Sequence, residues 1–326
     1  MQHRRIRRAW PTGSGRSAAT SRGPCAGATY GPAPERGATV TLGAGAVADL
    51  LRRHEIRPRR SLGQHFVIDP NTVMRIVRLA GVTPGERIVE IGAGCGALTV
   101  ALADAGAAVL AIEIDGRLVG ALSEVCADRS VEVLQADASE VDSWAPRLAD
   151  GERWRLVANL PYNIATPLLL DTLDALPQVT AMLVMVQDEV AERLVARPGQ
   201  GAYGLPSLKV ACRARAEILG RVPPTVFWPR PRVSSALLAI DRLPEPAAGN
   251  IDDLYRLARQ AFGQRRKMLR SSLRGVVAPG DFAAAGVDPA ARPGDLGVAD
   301  WSRLAAAVAG PATPPAGAAG ASGIAS

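Results

Sequence analysis

Histidine is scarce in this chain: His3, His54 and His65 are the only three in 326 residues, and no two stand close in sequence. A His-based catalytic triad or a His-rich metal site is therefore not expected, and no metal is assigned. Cysteine is nearly as rare. Cys25, Cys95, Cys126 and Cys212 show no paired spacing, which indicates neither a disulfide framework nor a zinc site and fits a reducing cytoplasm. No apolar run reaches the roughly 18 residues that a membrane-crossing helix needs, so no membrane partner is expected. Lysine is almost missing, with only Lys209 and Lys267, so the net charge of +7 rests on arginine. Arginine grips phosphate through a planar fork, which makes nucleic acid a reasonable partner. GC-rich coding DNA would bias a chain toward arginine as well.

Acidic residues are absent before Glu35, and residues 1 to about 40 are rich in Gly, Ala, Ser, Pro and Arg. That composition reads as a disordered basic extension over 1–46. The other readings are a start assigned too far upstream and a transit-peptide-like segment. Globular sequence begins near Val47. Arg52, Arg53, Arg57, Arg59 and Arg60 form a basic run ahead of Ser61-Leu-Gly-Gln-His-Phe-Val-Ile-Asp69. Asp69-Pro70 reads as a helix start, with Val73, Ile76, Val77 and Ala80 on one face and Gly81 closing the helix.

Strands and helices then alternate. Strands are predicted at 87–91, 108–114, 131–134, 154–158 and 181–186, with helices at 96–105, up to about 126, and at 166–176 and 188–196. A Gly/Pro loop follows, then strands at 217–222 and 235–240 with no long helix between them. The repeated β-α units predict a parallel sheet covered on both faces, with an antiparallel pair at one edge. The first domain is thus expected over 47–243. Pro244 to Asn250 reads as a linker, after which two apolar stripes appear: Leu254, Leu257, Ala258, Ala261 and Phe262, then Trp301, Leu304, Ala305 and Val308. They predict a small all-helical domain over 244–310 and, beyond it, a disordered Pro/Ala/Gly tail over 311–326.

The chemistry gathers at predicted strand ends, where open α/β folds bind ligands. Glu90-Ile-Gly-Ala-Gly-Cys-Gly96 joins a strand to a helix, and Gly92, Gly94 and Gly96 allow close approach of backbone to a ligand. Glu113 ends the second strand, where a carboxylate can hold two ribose hydroxyls. Asp137 follows the third, placed for an adenine amino group. The fourth ends in Asn159-Leu160-Pro161-Tyr162. There the Asn159 oxygen and the Leu160 carbonyl can accept both N–H groups of a planar amine, Pro161 stiffens the turn and Tyr162 can stack on the ring. With both protons held in plane, the nitrogen lone pair is turned out of it. Alone, Asn-x-Pro-Tyr is a common turn, and the glycine loop alone fits a dinucleotide equally well. The GxGxG spacing, the two acids and Asn-x-Pro-Tyr together favour S-adenosylmethionine. Arg266, Arg270 and Arg274 fall at i, i+4 and i+8 with Arg265 and Lys267 beside them, so one helix face is predicted to be basic and uncompensated, which suits RNA phosphate.

Six stretches carry a family resemblance: Ser61-Leu-Gly-Gln-His-Phe, Glu90-Ile-Gly-Ala-Gly, Gln135-Ala-Asp-Ala, Asn159-Leu-Pro-Tyr-Asn-Ile-Ala-Thr-Pro, Phe227-Trp-Pro-Arg-Pro-Arg-Val-Ser-Ser-Ala and Phe262-Gly-Gln-Arg-Arg-Lys-Met-Leu-Arg. From roughly residue 47 to 309 the chain resembles the rRNA adenine dimethyltransferases, and within them the small-subunit branch. The related macrolide-resistance methylases of large-subunit rRNA share the first motifs but not the Gln-Arg-Arg-Lys segment.

The resemblance implies a Rossmann-like, S-adenosylmethionine-dependent methyltransferase sheet with a small C-terminal all-helical domain. It implies that His65, Val67, Gly92, Glu113, Asp137 and Asn159 contact the cofactor, with Gly94 in the same loop. It implies methyl transfer to N6 of two adjacent adenines of small-subunit rRNA, with Tyr162 and Phe227 sandwiching the base. The protein would act in the cytoplasm on a pre-ribosomal particle, as a monomer. His65 stands where the family usually has Asn, Val67 where it usually has Leu, and Ser234 where Asp is common. A large-subunit methylase and a non-catalytic ribosome-assembly factor are the alternatives. An NAD-dependent oxidoreductase is the weakest contender, lacking an evident hydride-transfer acid.

Overall fold

The computed structural model describes residues 42–59, 62–148 and 151–310, so the expected extension before residue 42 and the tail over 311–326 lie outside the described residues. Chain contacts divide the protein into two compact units. One runs to Ala196 and resumes over Arg213–Glu245; the other comprises Arg197–Cys212 and the chain from Pro246.

In the first unit, helix α1 (Ala44–Arg53) begins just before the expected globular start and leads to a short strand, β1 (Phe66–Val67). Helix α2 (Pro70–Ala80) starts and stops where its sequence signals stand. The Asp69 carboxylate accepts from the Asn71 and Thr72 N–H groups, and Gly81 ends the helix at a φ of 58°. Then come β2 (Arg87–Ile91), α3 (Ala97–Asp104), β3 (Ala108–Glu113), α4 (Gly116–Cys126), β4 (Val131–Gln135), β5 (Trp154–Asn159), α5 (Ala165–Ala175), β6 (Val179–Gln187) and α6 (Asp188–Val195). Helix α7 (Leu205–Arg213) precedes β7 (Ala214–Val222), β8 (Phe227–Trp228) and β9 (Ser235–Arg242).

Seven strands form one sheet in the order β4-β3-β2-β5-β6-β9-β7. The first five are parallel, and β9 joins β6 and β7 antiparallel, so the edge pair foreseen from sequence is present. Strand β6 reads as an unbroken apolar run because it is buried on both faces. The main core lies between the sheet and helices α2 and α3, with Val73, Ile76, Leu98 and Leu102 at its centre. Strand order reverses between β2 and β5, the crevice where such sheets bind ligands.

Helix α5 is anchored at its far end by Arg242. Its guanidinium donates to the carbonyls of Thr172, Leu173, Leu176 and Val179 at 2.8 to 3.0 Å. A cation there satisfies orphan carbonyls and meets the negative end of the helix dipole. The turn over Asn159–Ile164 therefore enters a helix whose other end is fixed.

The second unit contains α7, α8 (Ile251–Phe262), α9 (Leu269–Ser272), α10 (Pro279–Ala285) and α11 (Val298–Ala309). Tyr203 meets the Phe262 ring edge-on at 6.0 Å and donates to the Leu296 carbonyl at 2.9 Å, while Phe262 packs against the buried Trp301.

Two expectations need correction. Residues 197–213 are not simply a Gly/Pro loop within the first domain: 205–213 form α7, and 197–212 pack in the helical unit. Leu208, Val210 and Cys212 are its buried apolar positions, a pattern masked in sequence by the Gly and Pro just before it. Second, Arg266, Arg270 and Arg274 do not share one helix. Helix α8 ends at Phe262, and the N–H groups of Leu269 and Arg270 bond to the carbonyls of Ala291 and Pro289. A continuous helix would need them bonded to residues 265 and 266.

Candidate active site

The carboxyl ends of β2, β3 and β5, the loop after β4 and residues 62–67 enclose a cavity of about 370 Å³. His65, Val67, Gly92, Gly94, Glu113, Asp137, Asn159, Leu160, Pro161 and Tyr162 all line it, so the parallel sheet brings ten of the expected site residues to one place.

The glycine loop after β2 is shaped by protein neighbours as much as by any ligand. Gly94 and Gly96 hold φ values of 57° and 83°, and a Cβ on Gly94 would meet the Phe66 ring at 3.1 Å. One on Gly96 would meet Leu122 and Val125 at 2.9 Å, so that glycine lets the loop lie against α4.

Glu113 is buried at the end of β3 and its orientation is fixed. One carboxylate oxygen accepts from the Gly94 N–H at 2.8 Å and the other from the Asp115 N–H at 3.0 Å. Burial pushes its carboxyl up, and those N–H groups pull it back. Glu90, wholly inside the cavity wall, is pushed by burial up to about 8, with the Glu113 charge adding to the rise. At neutral pH Glu90 is therefore mostly in its neutral acid form. Asp137 turns one oxygen back to Ser139, accepting from its N–H at 2.9 Å and its hydroxyl at 2.6 Å.

Asn159 ends β5. Its amide nitrogen donates to the His65 carbonyl at 3.0 Å, while its side-chain oxygen is buried and makes no hydrogen bond among the described residues. Turning the amide over would set oxygen against the His65 carbonyl oxygen, so the orphaned atom is the acceptor. The Tyr162 hydroxyl is 2.9 Å from that of Ser235, and its ring stacks with His65 at 5.4 Å between centroids and 28° between planes. His65 Nδ1 lies 2.6 Å from the Pro229 carbonyl. A carbonyl only accepts, so Nδ1 carries the hydrogen and Nε2 keeps a lone pair in the neutral ring.

Phe227 is the exception among the expected site residues. It is 2% exposed, belongs to the main core and does not line the cavity. Its backbone pairs with Val67 in the ribbon formed by β1 and β8, which turns the ring inward and leaves the next residue, Trp228, outside. Sequence reasoning also passed over Ile114 and Phe66, both in the cavity wall. Ile114 follows Glu113 at a strand end and is 43% exposed, a position at which an apolar residue faces the ligand crevice.

Arg265, Arg266, Lys267, Arg270 and Arg274 are exposed in the helical unit. Of the earlier basic run, Arg52 pairs with Asp49, Arg53 pairs with Glu124 at 2.5 Å, and Arg60 lies outside the described residues. Among the described residues no cluster of three His, Cys, Asp or Glu side chains could hold a metal ion, and no helix is long and apolar enough to cross a membrane.

The family model described as "Ribosomal RNA adenine dimethylase" matches residues 56–309. A relative named "Ribosomal RNA small subunit methyltransferase A" from Kineococcus radiotolerans is 48% identical over 277 residues, 81% of this chain and 91% of the relative. One of the same name from Thermobifida fusca is 47% identical over 262 residues, 77% and 90% of the two chains. Among solved structures, a dimethyladenosine transferase from Plasmodium falciparum aligns with a TM-score of 0.64 at 23% identity, over 74% of this chain and 96% of that one. The 23S rRNA methyltransferase ErmE aligns at 0.58 and 25% identity, over 75% and 100%.

Proposed function

We propose, on the premise that this chain belongs to the ribosomal RNA adenine dimethylase family, that it methylates N6 of two adjacent adenines in small-subunit rRNA, using S-adenosylmethionine. One observation carries the local reading: the buried, unpartnered Asn159 oxygen, aimed by the bond from its own amide to the His65 carbonyl.

The cavity fits the cofactor. The oriented Glu113 carboxylate at the end of β3 presents acceptors to the cavity, which matches a ligand bearing ribose hydroxyls. Glu113, Asp137, His65, Val67 and the backbone at Gly92 and Gly94 would hold it. When bound, it supplies a methyl carbon made electrophilic by a sulfonium.

The chain's own residues then govern the amine. A target adenine turned out of its stack enters beside Tyr162, whose ring face suits base stacking worth about 1–3 kcal/mol. The Asn159 oxygen and the Leu160 carbonyl accept its two N–H groups, which turns the lone pair toward the incoming carbon. The new N–C bond would form as the methyl's bond to sulfur breaks and leaves a neutral thioether; the nitrogen becomes cationic and would lose its proton to water, so no general base is needed before attack. In the second round one methyl already sits on the nitrogen and a single N–H remains, so only one of the two acceptors is engaged. The sandwich loses Phe227 on the geometry above; His65, stacked with Tyr162, flanks that ring instead.

The same reading places the chain in the cytoplasm as a monomer acting on a pre-ribosomal small subunit, with the exposed arginines of the helical unit on phosphate. Incubation with labelled S-adenosylmethionine and unmethylated small and large ribosomal particles, followed by digestion to nucleosides, tests it. N6,N6-dimethyladenosine from the small particle alone is expected. Label in the large particle would reassign the substrate, and no transfer despite normal cofactor binding would leave an assembly factor.

A further inference from the structure

The segment from Trp228 to Ser234 has no part in the reaction as described, yet it is tied to three residues of the cavity wall. At its start, Trp228 pairs with Phe66, a cavity-wall residue. In its middle, the Pro229 carbonyl accepts from His65, and just past its end Ser235 meets the Tyr162 hydroxyl. Two large apolar side chains of this tethered loop face water against expectation: Trp228 is 45% exposed and Val233 44%. Arg230 and Arg232 are exposed too, and neither forms an ion pair or hydrogen bond among the described residues.

Pro229 and Pro231 alternate with these side chains. Proline fixes its own φ and restricts the residue before it, so the backbone at Trp228 and Arg230 has little freedom left before anything binds. Ordering such a loop on binding costs little entropy. An exposed indole beside two uncompensated guanidiniums is the chemistry of unpaired nucleic acid, in which bases stack and phosphates pair with arginine forks.

We propose that Trp228, Arg230 and Arg232 form a subsite for the nucleotide next to the target adenine, Trp228 stacking on its base and the two arginines gripping the phosphates on either side. This rests on the methyltransferase reading above and deepens it: the loop selects unpaired RNA around the target and holds it while the adenine is turned inward.

The test uses the full chain with an unmethylated small-subunit particle and with a short unpaired RNA containing two consecutive adenines. Binding is scored separately from transfer. Trp228→Ala is expected to weaken oligonucleotide binding by roughly tenfold, the lower part of the range for one lost base stack, and Trp228→Phe to restore most of it. Arg230→Ala with Arg232→Ala should make the log–log salt dependence shallower by about 1.4, the value for two phosphates of a single strand. All variants should keep the parent's melting temperature and its affinity for S-adenosylhomocysteine. Unchanged binding and salt slope in these variants, beside a parent that binds the RNA, would overturn the subsite and leave the patch to a protein partner. A parent that binds RNA normally but methylates neither particle would overturn the catalytic reading alone.

Discussion

Pro161 closes over the backbone of Gly92. A Cβ on that glycine, whose φ is 72°, would meet the proline Cδ at 3.1 Å and Cγ at 3.2 Å. The glycine loop after β2 and the Asn-Leu-Pro-Tyr turn after β5 thus form one packed unit, and cofactor and amine pockets share a wall.

Gly92→Ala should therefore damage both pockets. A left-handed backbone costs a residue with a Cβ about 1–2 kcal/mol, before any clash with Pro161. The expected result is a melting point lower by several degrees and S-adenosylhomocysteine affinity reduced at least tenfold by calorimetry. Parental values for both would show that the contact is slack.

Asn159→Ala should abolish transfer, lowering kcat by about a hundredfold or more, the scale seen when a preorganised polar partner is lost. RNA affinity should be largely spared. Single-turnover measurement with bound RNA separates the two, and parental turnover would sink the amine-orienting role.

Tyr162 should divide its roles by atom. Tyr162→Phe keeps the ring and loses only the bond to Ser235, so transfer should fall only a few-fold. Tyr162→Ala removes the stacking face and should raise KM by roughly tenfold. Equal losses in the two variants would shift the weight to the hydroxyl.

Glu90 gives a pH signature. Its folded value of about 8 lies above the ordinary 4.5, so the folded chain binds an extra proton between those limits. Stability from this group is complete below pH 4.5 and is lost as pH rises through about 8, at up to about 1.4 kcal/mol per pH unit. In cofactor-free protein, Glu90→Gln should flatten the fall in melting temperature between pH 5 and 8. Parallel curves for parent and variant would mean that Glu90 is ionised when folded.

Arg266→Ala with Arg270→Ala should weaken ribosomal-particle binding and reduce the salt slope by up to about 1.8, two phosphates on duplex RNA treated at the B-DNA value. An unaltered slope would refute phosphate contact there.

The sheet and cavity were legible because their signals are local and repeated. Asp69 and Gly81 bracket α2, and Gly92, Glu113, Asp137 and Asn159 each end or follow a strand, so a parallel order brings them together. What was hidden depended on partners distant in sequence. Nothing near Phe227 reveals that pairing with Val67 turns its ring into the core. Arg266 and Arg270 have helical spacing, but α8 ends at Phe262 and the N–H groups of residues 269 and 270 bond to the turn at 289–291. Residues 205–213 carry a helical pattern behind a glycine-rich entry, and its packing partners are in the last third of the chain.

That last arrangement has a consequence for synthesis. Tyr203 emerges 93 residues before Leu296, whose carbonyl it bonds. At about 5–20 residues per second, that is roughly 5 to 20 seconds in which a large aromatic side chain waits without its partner. Strands β7 and β9 are made within that interval and can complete the sheet first. The helical unit is thus the last part of the nascent chain able to close, and a product truncated after β9 would leave the ribosome with a finished sheet and a stranded helix α7.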